Sequence, residues 1–251
     1  MLQYYYILKL SYNGFHYFGW SMQRNLPTIQ GKLHEAWYDL FKVKVKSFAS
    51  SRTDAQVHAK SQWIKIISQN EVLDFEYVID ELTKRLPVDI QIISFHNCPP
   101  KFDIMGGASW KEYRYHFASP PITESEYHLN FNETLDIELM KLAAGHFIGR
   151  GVNAKYFHLF QRRESEKVLF QREIFVSEIC VEYKTHYFRV IAPGFMRQMV
   201  RIMVGALLNV GQGRVSLVEF EESLKKGATK PVGFVAPGYG LCLQETNFND
   251  N

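Results

Sequence analysis

Two hydrophobic periods alternate along this chain, and their succession constrains its fold more than any other feature. Over 111–118, Lys-Glu-Tyr-Arg-Tyr-His-Phe-Ala, the pattern repeats every second residue. Tyr113, Tyr115 and Phe117 share one face, and Glu112, Arg114 and His116 take the other, as on a strand buried on one side. Over 29–41 the apolar residues Ile29, Leu33, Ala36, Trp37, Leu40 and Phe41 fall instead on one stripe of a helix. Strand patterns also cover 4–11, 62–67, 89–95, 172–183, 186–192 and 241–246. Helical patterns start near Thr28, carry Ile79, Leu82 and Leu86 up to Pro87, span 136–147, and return at Met199, Met203, Leu207 and Val210. Lys184-Thr185 reads as a hairpin turn, and Gly211-Gln212-Gly213 as a helix C-cap. Ser216-Leu217-Val218-Glu219 is a capping-box signature for a last helix. The expected fold is α+β, with two similar halves, each an antiparallel sheet with helices packed on one face, and a central cleft. Met105-Gly106-Gly107 interrupts the pattern, so the halves are expected at 1–105 and 106–251.

Composition excludes several classes. With 46% hydrophobic and 15% aromatic residues in 251, the chain is not intrinsically disordered as a whole. No apolar run approaches the ~18 residues of a membrane span, so no membrane partner is expected. Met1-Leu2-Gln3-Tyr4-Tyr5-Tyr6 has no basic segment or small-residue cleavage site, and no secretory signal is expected. Cys98, Cys180 and Cys242 are far apart with no C-x-x-C, which argues against a disulfide framework or a zinc knuckle. A reducing compartment fits, and a cytoplasmic location is expected, with an organelle left open.

The net charge, 29 − 26 = +3, says little, but its distribution says more. Residues 1–69 hold nine Lys/Arg against three Asp/Glu, residues 70–140 five against thirteen, and residues 150–214 eleven against five. Two basic blocks that met in space would attract a polyanion.

The most unusual polar segment is Ser50-Ser51-Arg52-Thr53-Asp54-Ala55-Gln56-Val57-His58-Ala59. One carboxylate stands among small uncharged neighbours with Arg52 two residues away. Such a group, held by a cation and backbone donors, suits a nucleophile or base; it also suits a turn-capping Asp. Asp54 and His58 are four apart, an acid–base spacing, but no nucleophile-elbow serine accompanies them. Neither H-E-x-x-H, Walker A nor G-x-G-x-x-G occurs, and the nine histidines show no metal-ligand spacing. Arg197 and Arg201, four apart beside Met199 and Met203, are expected to share a helix face, either as a solvated helix edge or with one of them reaching a phosphate or a buried carboxylate.

Six blocks, in order, resemble those of the TruA-type tRNA pseudouridine synthases. Ser51 to Ala59 is similar to that family's G-R-T-D-A-G-V-H-A. Tyr12-Asn13-Gly14 and Gly19-Trp20-Ser21-Met22-Gln23 resemble Y-x-G…G-W-x-x-Q, and Leu86-Pro87-Val88-Asp89-Ile90 resembles L-P-x-D-I. Lys111-Glu112-Tyr113-Arg114-Tyr115 resembles K/R-x-Y-x-Y. Phe195 to Gly205 resembles F-x-x-x-M-V-R-x-x-V-G, and Gly240-Leu241-Cys242-Leu243 resembles G-L-x-L.

The resemblance implies the pseudouridine synthase fold and an isomerase acting on uridine in the tRNA anticodon stem-loop. It implies Asp54 as the catalytic carboxylate and Arg52 as the arginine that displaces or positions the nucleotide. Tyr113 would pack against the flipped base, Arg201 would pair with the catalytic carboxylate, and Leu241 would form the pocket's other wall. Arg197, Thr53 and His58 are further expected to contact substrate. A homodimer is implied, with neither metal nor organic cofactor. The isomerisation agrees: it needs no electron donor or ATP, and stacking with phosphate contacts would offset the few kcal/mol of extracting a base.

The chain departs from the family pattern at Ser51 and Gln56, where glycine is usual, and at Phe102-Asp103-Ile104-Met105, where F-H-A-R is usual. The stretch from Gly149 to Phe160 also lacks H-x-F-x-S-F. These departures keep open a second reading, a catalytically weakened relative that binds RNA or a ribonucleoprotein. A third, unrelated reading is a hydrolase using Asp54 and His58.

Overall fold

The computed structural model describes residues 2–119, 121, 126–131, 133–162, 171–182 and 185–248. The elements follow in chain order as β1 (Tyr4–Tyr12), α1 (Ile29–Phe41), β2 (Lys46–Ala49), β3 (His58–Ser68), α2 (Phe75–Arg85) and β4 (Ile90–Asn97). After these come β5 (Ala108–Ala118), β6 (Leu129–Asn130), α3 (Ile137–His146), β7 (Lys155–Tyr156) and β8 (Gln171–Arg172). The chain closes with β9 (Val176–Glu182), β10 (Thr185–Ala192), α4 (Met199–Gly211), α5 (Leu217–Glu222) and β11 (Leu241–Phe248). The protein is α+β with mixed sheet pairing. It divides into two compact units, Met1–Ser109 with Cys242–Asn251, and Trp110–Leu241.

In the first unit, β1 lies antiparallel between β3 and β4. Tyr6, Leu8, Leu10 and Tyr12 point to its buried face, and alternate residues do not. That face meets α1 and α2. Thr28 caps α1 by accepting the Gly31 N–H at 3.2 Å, and Asp74 caps α2 by accepting the Tyr77 N–H at 2.9 Å. Trp37 from α1 and Phe75 from the start of α2 close on Tyr6 and Phe95, with Tyr6–Phe95 and Phe75–Phe95 ring centroids 5.3 and 5.2 Å apart. Strand β3 begins at His58, four residues before the apolar pattern announces it. Its small early residues pair with β1 through Ala59↔Tyr12 and with β11 through His58↔Cys242 and Ala59↔Leu243. The β3–β11 pairing is parallel, as is the short β5–β6 pairing, where antiparallel strands were expected. Strands so distant along the chain are not bound by hairpin geometry to run in opposite directions.

In the second unit, β10 is antiparallel to both β5 and β9. Of the hairpin turn expected at Lys184-Thr185, Lys184 lies outside the described residues, and Thr185 opens β10 paired with Glu182 at the end of β9. The alternation in β5 holds over 113–117, where Tyr113, Tyr115 and Phe117 are buried and Arg114 and His116 less so, but Glu112, expected on the more open face, is buried as well, under the Arg114 and Arg189 guanidinium groups. Phe147, Phe157, Phe160, Phe188 and Phe220 form the aromatic core. Helix α4 is buried all round except at Arg201 and Asn209, which makes it the unit's central helix. Its C-terminus runs through Gln212 to Gly213 with φ +69°, and the capping box of α5 forms as expected.

A further expectation fails. Arg197 does not lie on the helix with Arg201. Gln198, at φ 59° and ψ 7°, is left-handed and starts α4 at Met199, so Arg197 and Arg201 do not share a helical face. A left-handed residue ends the helical repeat that the spacing assumed.

Candidate active site

The segment carrying Asp54 links β2 to β3 and is held by several contacts within its own unit. Behind it stands Gln62, fully buried on β3. Its Nε2 donates to the Ser51 carbonyl at 2.5 Å, and its Oε1 accepts from the Ser51 N–H at 3.2 Å and the Ser50 hydroxyl at 2.9 Å. The amide thus extends the strand ladder sideways and fixes the chain ahead of Arg52. Thr53 is buried, with its Oγ1 2.8 Å from the Tyr12 hydroxyl. Arg52 points to solvent, and Asp54 is half-buried.

The far wall is the loop between β1 and α1. Trp20 N–H donates to the Thr53 carbonyl at 3.0 Å, and Gln56 N–H donates to the Tyr17 carbonyl at 3.0 Å. His58 is buried, and its Nδ1 accepts the Gly14 N–H at 3.1 Å. These backbone contacts need glycine. A Cβ on Gly14 would stand 2.0 Å from the Val57 carbonyl oxygen. Gly19, at φ +90°, would put one 2.7 Å from the Thr53 carbonyl oxygen. Asp54 itself opens a turn in which its carbonyl accepts the Val57 N–H at 3.2 Å. Within that turn Gln56 takes φ 66°, the conformation for which glycine is the usual residue.

The second unit carries Tyr113, Arg201, Arg197 and Leu241. Tyr113 lies on β5 with its ring edge-on to Phe195, centroids 5.3 Å apart at 90°. Arg201 is tied to Ala236 twice: its Nε donates to the Ala236 carbonyl at 2.7 Å, and its own carbonyl accepts the Ala236 N–H at 3.2 Å. The segment 232–236 runs back along α4. Asn209 Nδ2 donates to the Val232 carbonyl at 2.8 Å, and a Cβ on Gly205 would stand 2.0 Å from the Phe234 carbonyl oxygen. Four helical residues rise about 6 Å and two extended residues about 6.6 Å. Contacts at 209, 205 and 201 therefore match 232, 234 and 236 in register, and the guanidinium direction is set by that match. Tyr115, beside Tyr113 on β5, is fully buried. Burial pushes its phenol well up, Tyr239 adds to this, and the Arg201 charge opposes it. Leu241 is buried at the start of β11. Arg197 sits ahead of α4, its carbonyl accepting the Arg162 N–H at 3.2 Å.

The structure thus gathers Arg52, Thr53 and Asp54 in one clamped loop with His58 at the first residue of β3, and it carries Tyr113 on β5 and Arg201 on α4 of the other unit. Sequence reasoning missed Gln62, Tyr12 and Tyr17 as its supports. A lone amide in the apolar β3 segment was the one local signal for Gln62. Among the described residues, no group of three or more His, Cys, Asp or Glu could hold a metal ion. No helix there is long and apolar enough to cross a membrane.

Comparison with known proteins gives a consistent picture. Residues 143–249 match the family model for tRNA pseudouridine synthase. Over 96% of its length the chain is 32% identical to tRNA pseudouridine synthase A of Pelobacter propionicus, covering 98% of that protein. It is 33% identical to tRNA pseudouridine synthase A 2 of Clostridium perfringens over 95% of its length and 97% of that protein's. It is 32% identical to tRNA pseudouridine synthase A of Geotalea uraniireducens over 95% and 97% respectively.

Proposed function

The chain belongs to the tRNA pseudouridine synthase A family of isomerases, and on that footing we propose that Asp54 is the carboxylate that converts uridine to pseudouridine in the tRNA anticodon stem-loop. The observation that carries this reading is the clamp on the Asp54 loop: backbone bonds from Trp20 and Gln56, the Tyr12–Thr53 contact and the Gln62 amide hold it from both sides. A reacting group must be placed to a fraction of an ångström, because a misplacement of about 1 Å costs on the order of 100-fold in rate.

The reaction breaks the N1–C1′ bond, turns the uracil, and joins C5 to C1′. The proton on C5 leaves and N1 ends as N–H, so substrate and product are isomers. A fixed carboxylate serves this as nucleophile or base. Arg201 supplies its counter-charge, Tyr113 packs on the extracted base, and Leu241 confines the base while it turns. Exposed Arg52 engages the nucleotide's backbone or fills its place, and Arg197 contacts the RNA. Thr53 and His58 act from beneath, holding the loop through Tyr12 and Gly14. The enzyme works as a cytoplasmic homodimer without metal or organic cofactor.

The test is to incubate the protein with an unmodified tRNA transcript and map pseudouridine along it. Conversion confined to the anticodon stem-loop is expected. Conversion elsewhere would overturn the site assignment. Salt-dependent binding without conversion would favour the weakened relative, for which Gln56 at positive φ is the motivating feature.

A further inference from the structure

Outside the segment 50–59, a half-buried hydrogen bond ties the segment behind the Asp54 loop to a distant turn. Tyr17 is 6% exposed, and its hydroxyl donates to Asp89 Oδ1 at 2.6 Å across 72 residues of sequence. Asp89 sits in the turn between α2 and β4, where the Ile90 N–H closes onto the Pro87 carbonyl at 2.9 Å. Its own carbonyl accepts the Asn13 N–H at 2.9 Å. Asp89 therefore grips the 13–17 segment at both ends, by backbone at Asn13 and by side chain at Tyr17. Tyr17 in turn is doubly used. Its side chain reaches back to Asp89, and its carbonyl accepts the Gln56 N–H two residues after Asp54.

We propose that Asp89 and Tyr17 are positioning residues of the isomerisation: their hydrogen bond sets where the Tyr17 carbonyl stands, and through Gln56 it sets where the Asp54 carboxylate stands. This rests on the reading of Asp54 as the catalytic carboxylate. The chemistry of the pair suits the task. A phenol donating to an ionised acceptor makes a shorter and stronger bond than a neutral pair. Burial, and then the Asp89 carboxylate, push the Tyr17 phenol up, so the donor proton stays in place through the range where tRNA is intact. The bond also lies against the one residue of the loop whose backbone is in an unfavourable region, Gln56 at φ 66°. A conformation of that kind persists only where its surroundings over-determine it, and the Tyr17 carbonyl is one of those determinants.

The experiment uses the full chain and an unmodified tRNA transcript, with single-turnover rate at saturating protein and tRNA Kd measured separately. Tyr17→Phe removes only the hydroxyl, and Asp89→Ala removes only the acceptor. Each is expected to lower the rate by about tenfold or more while Kd changes by less than about twofold. The double variant is expected to be no slower than the slower single. Asp89→Asn keeps an acceptor oxygen and is expected to recover most of the loss. Wild-type rates in both single variants would overturn the proposal, as would a loss that follows tRNA affinity or disappears on cooling. If Asp89→Ala does not fold, Tyr17→Phe decides alone. Asp54→Asn runs alongside: activity there would overturn the underlying reading, whereas an inactive Asp54→Asn with unaffected Tyr17→Phe and Asp89→Ala overturns only the positioning role.

Discussion

A side-chain carbon on Gly14 would lie 2.0 Å from the carbonyl oxygen of Val57, far inside contact distance. Backbone packs directly on backbone there, and the Asp54 loop has its position because residue 14 has no Cβ. Gly14→Ala should therefore force the 13–20 loop off the 53–57 loop. A loss of about 1–3 kcal/mol in urea unfolding is expected, as for other overpacked sites. Single-turnover rate in the folded fraction should drop by about 100-fold. A rate equal to wild type would mean that the contact does not place the carboxylate.

Gln56 is a non-glycine residue at φ 66°. Left-handed backbone costs an L-residue roughly 1–2 kcal/mol; glycine removes that strain, but its freer unfolded chain offsets part of the gain. Gln56→Gly should raise stability by about 0.5–1 kcal/mol in urea or thermal unfolding, whereas Gln56→Ala should not. Equal destabilisation by both would show that the side chain makes a contact that outweighs the backbone cost.

What the sequence showed and what it hid divide along one physical line. The alternation of β5 over 113–117, the stripe of α1 and the capping box at Ser216 are local patterns, and all three form. The Asp54 segment stood out by composition alone. Its supports did not, because the Tyr12–Thr53, Gln62–Ser51 and Tyr17–Asp89 contacts join residues 41, 11 and 72 apart. Strand β2, four residues with only Ser47 and Ala49 buried, is too short to carry a period. Arg197 was placed on a helix because spacing alone does not reveal that Gln198 turns left-handed.

Arg201 holds the 232–236 segment through Nε and its carbonyl. Lysine has a mobile point charge in place of a planar fork, so Arg201→Lys should keep the fold but release the segment. Hydrogen exchange at the Ala236 amide should quicken, and the single-turnover rate should fall by at least about tenfold. Unchanged exchange with a slower rate would assign Arg201 to the reaction alone.

Glu112 gives a pH dependence. Burial pushes its carboxyl up, but bidentate contacts from Arg189 at 3.1 Å and a 2.8 Å bond from Arg114 outweigh it, leaving the group below its ordinary value of 4.5. A lowered folded value means that the unfolded chain takes up the proton first. The stabilisation is thus present above about pH 4.5 and is lost as pH falls through the lowered folded value. The stability gap between wild type and Glu112→Gln should be constant near neutral pH and shrink in acid. A gap that widens in acid would reverse the sign.

The most direct test follows the hydrogen on C5 of uracil, which must leave when that carbon bonds to C1′. With tRNA transcribed from uridine tritiated at C5, the wild-type protein should release tritium to water in proportion to the pseudouridine formed. Asp54→Asn, folded and binding tRNA with unchanged affinity, should release none. Release by Asp54→Asn at the wild-type rate would contradict the account at its centre.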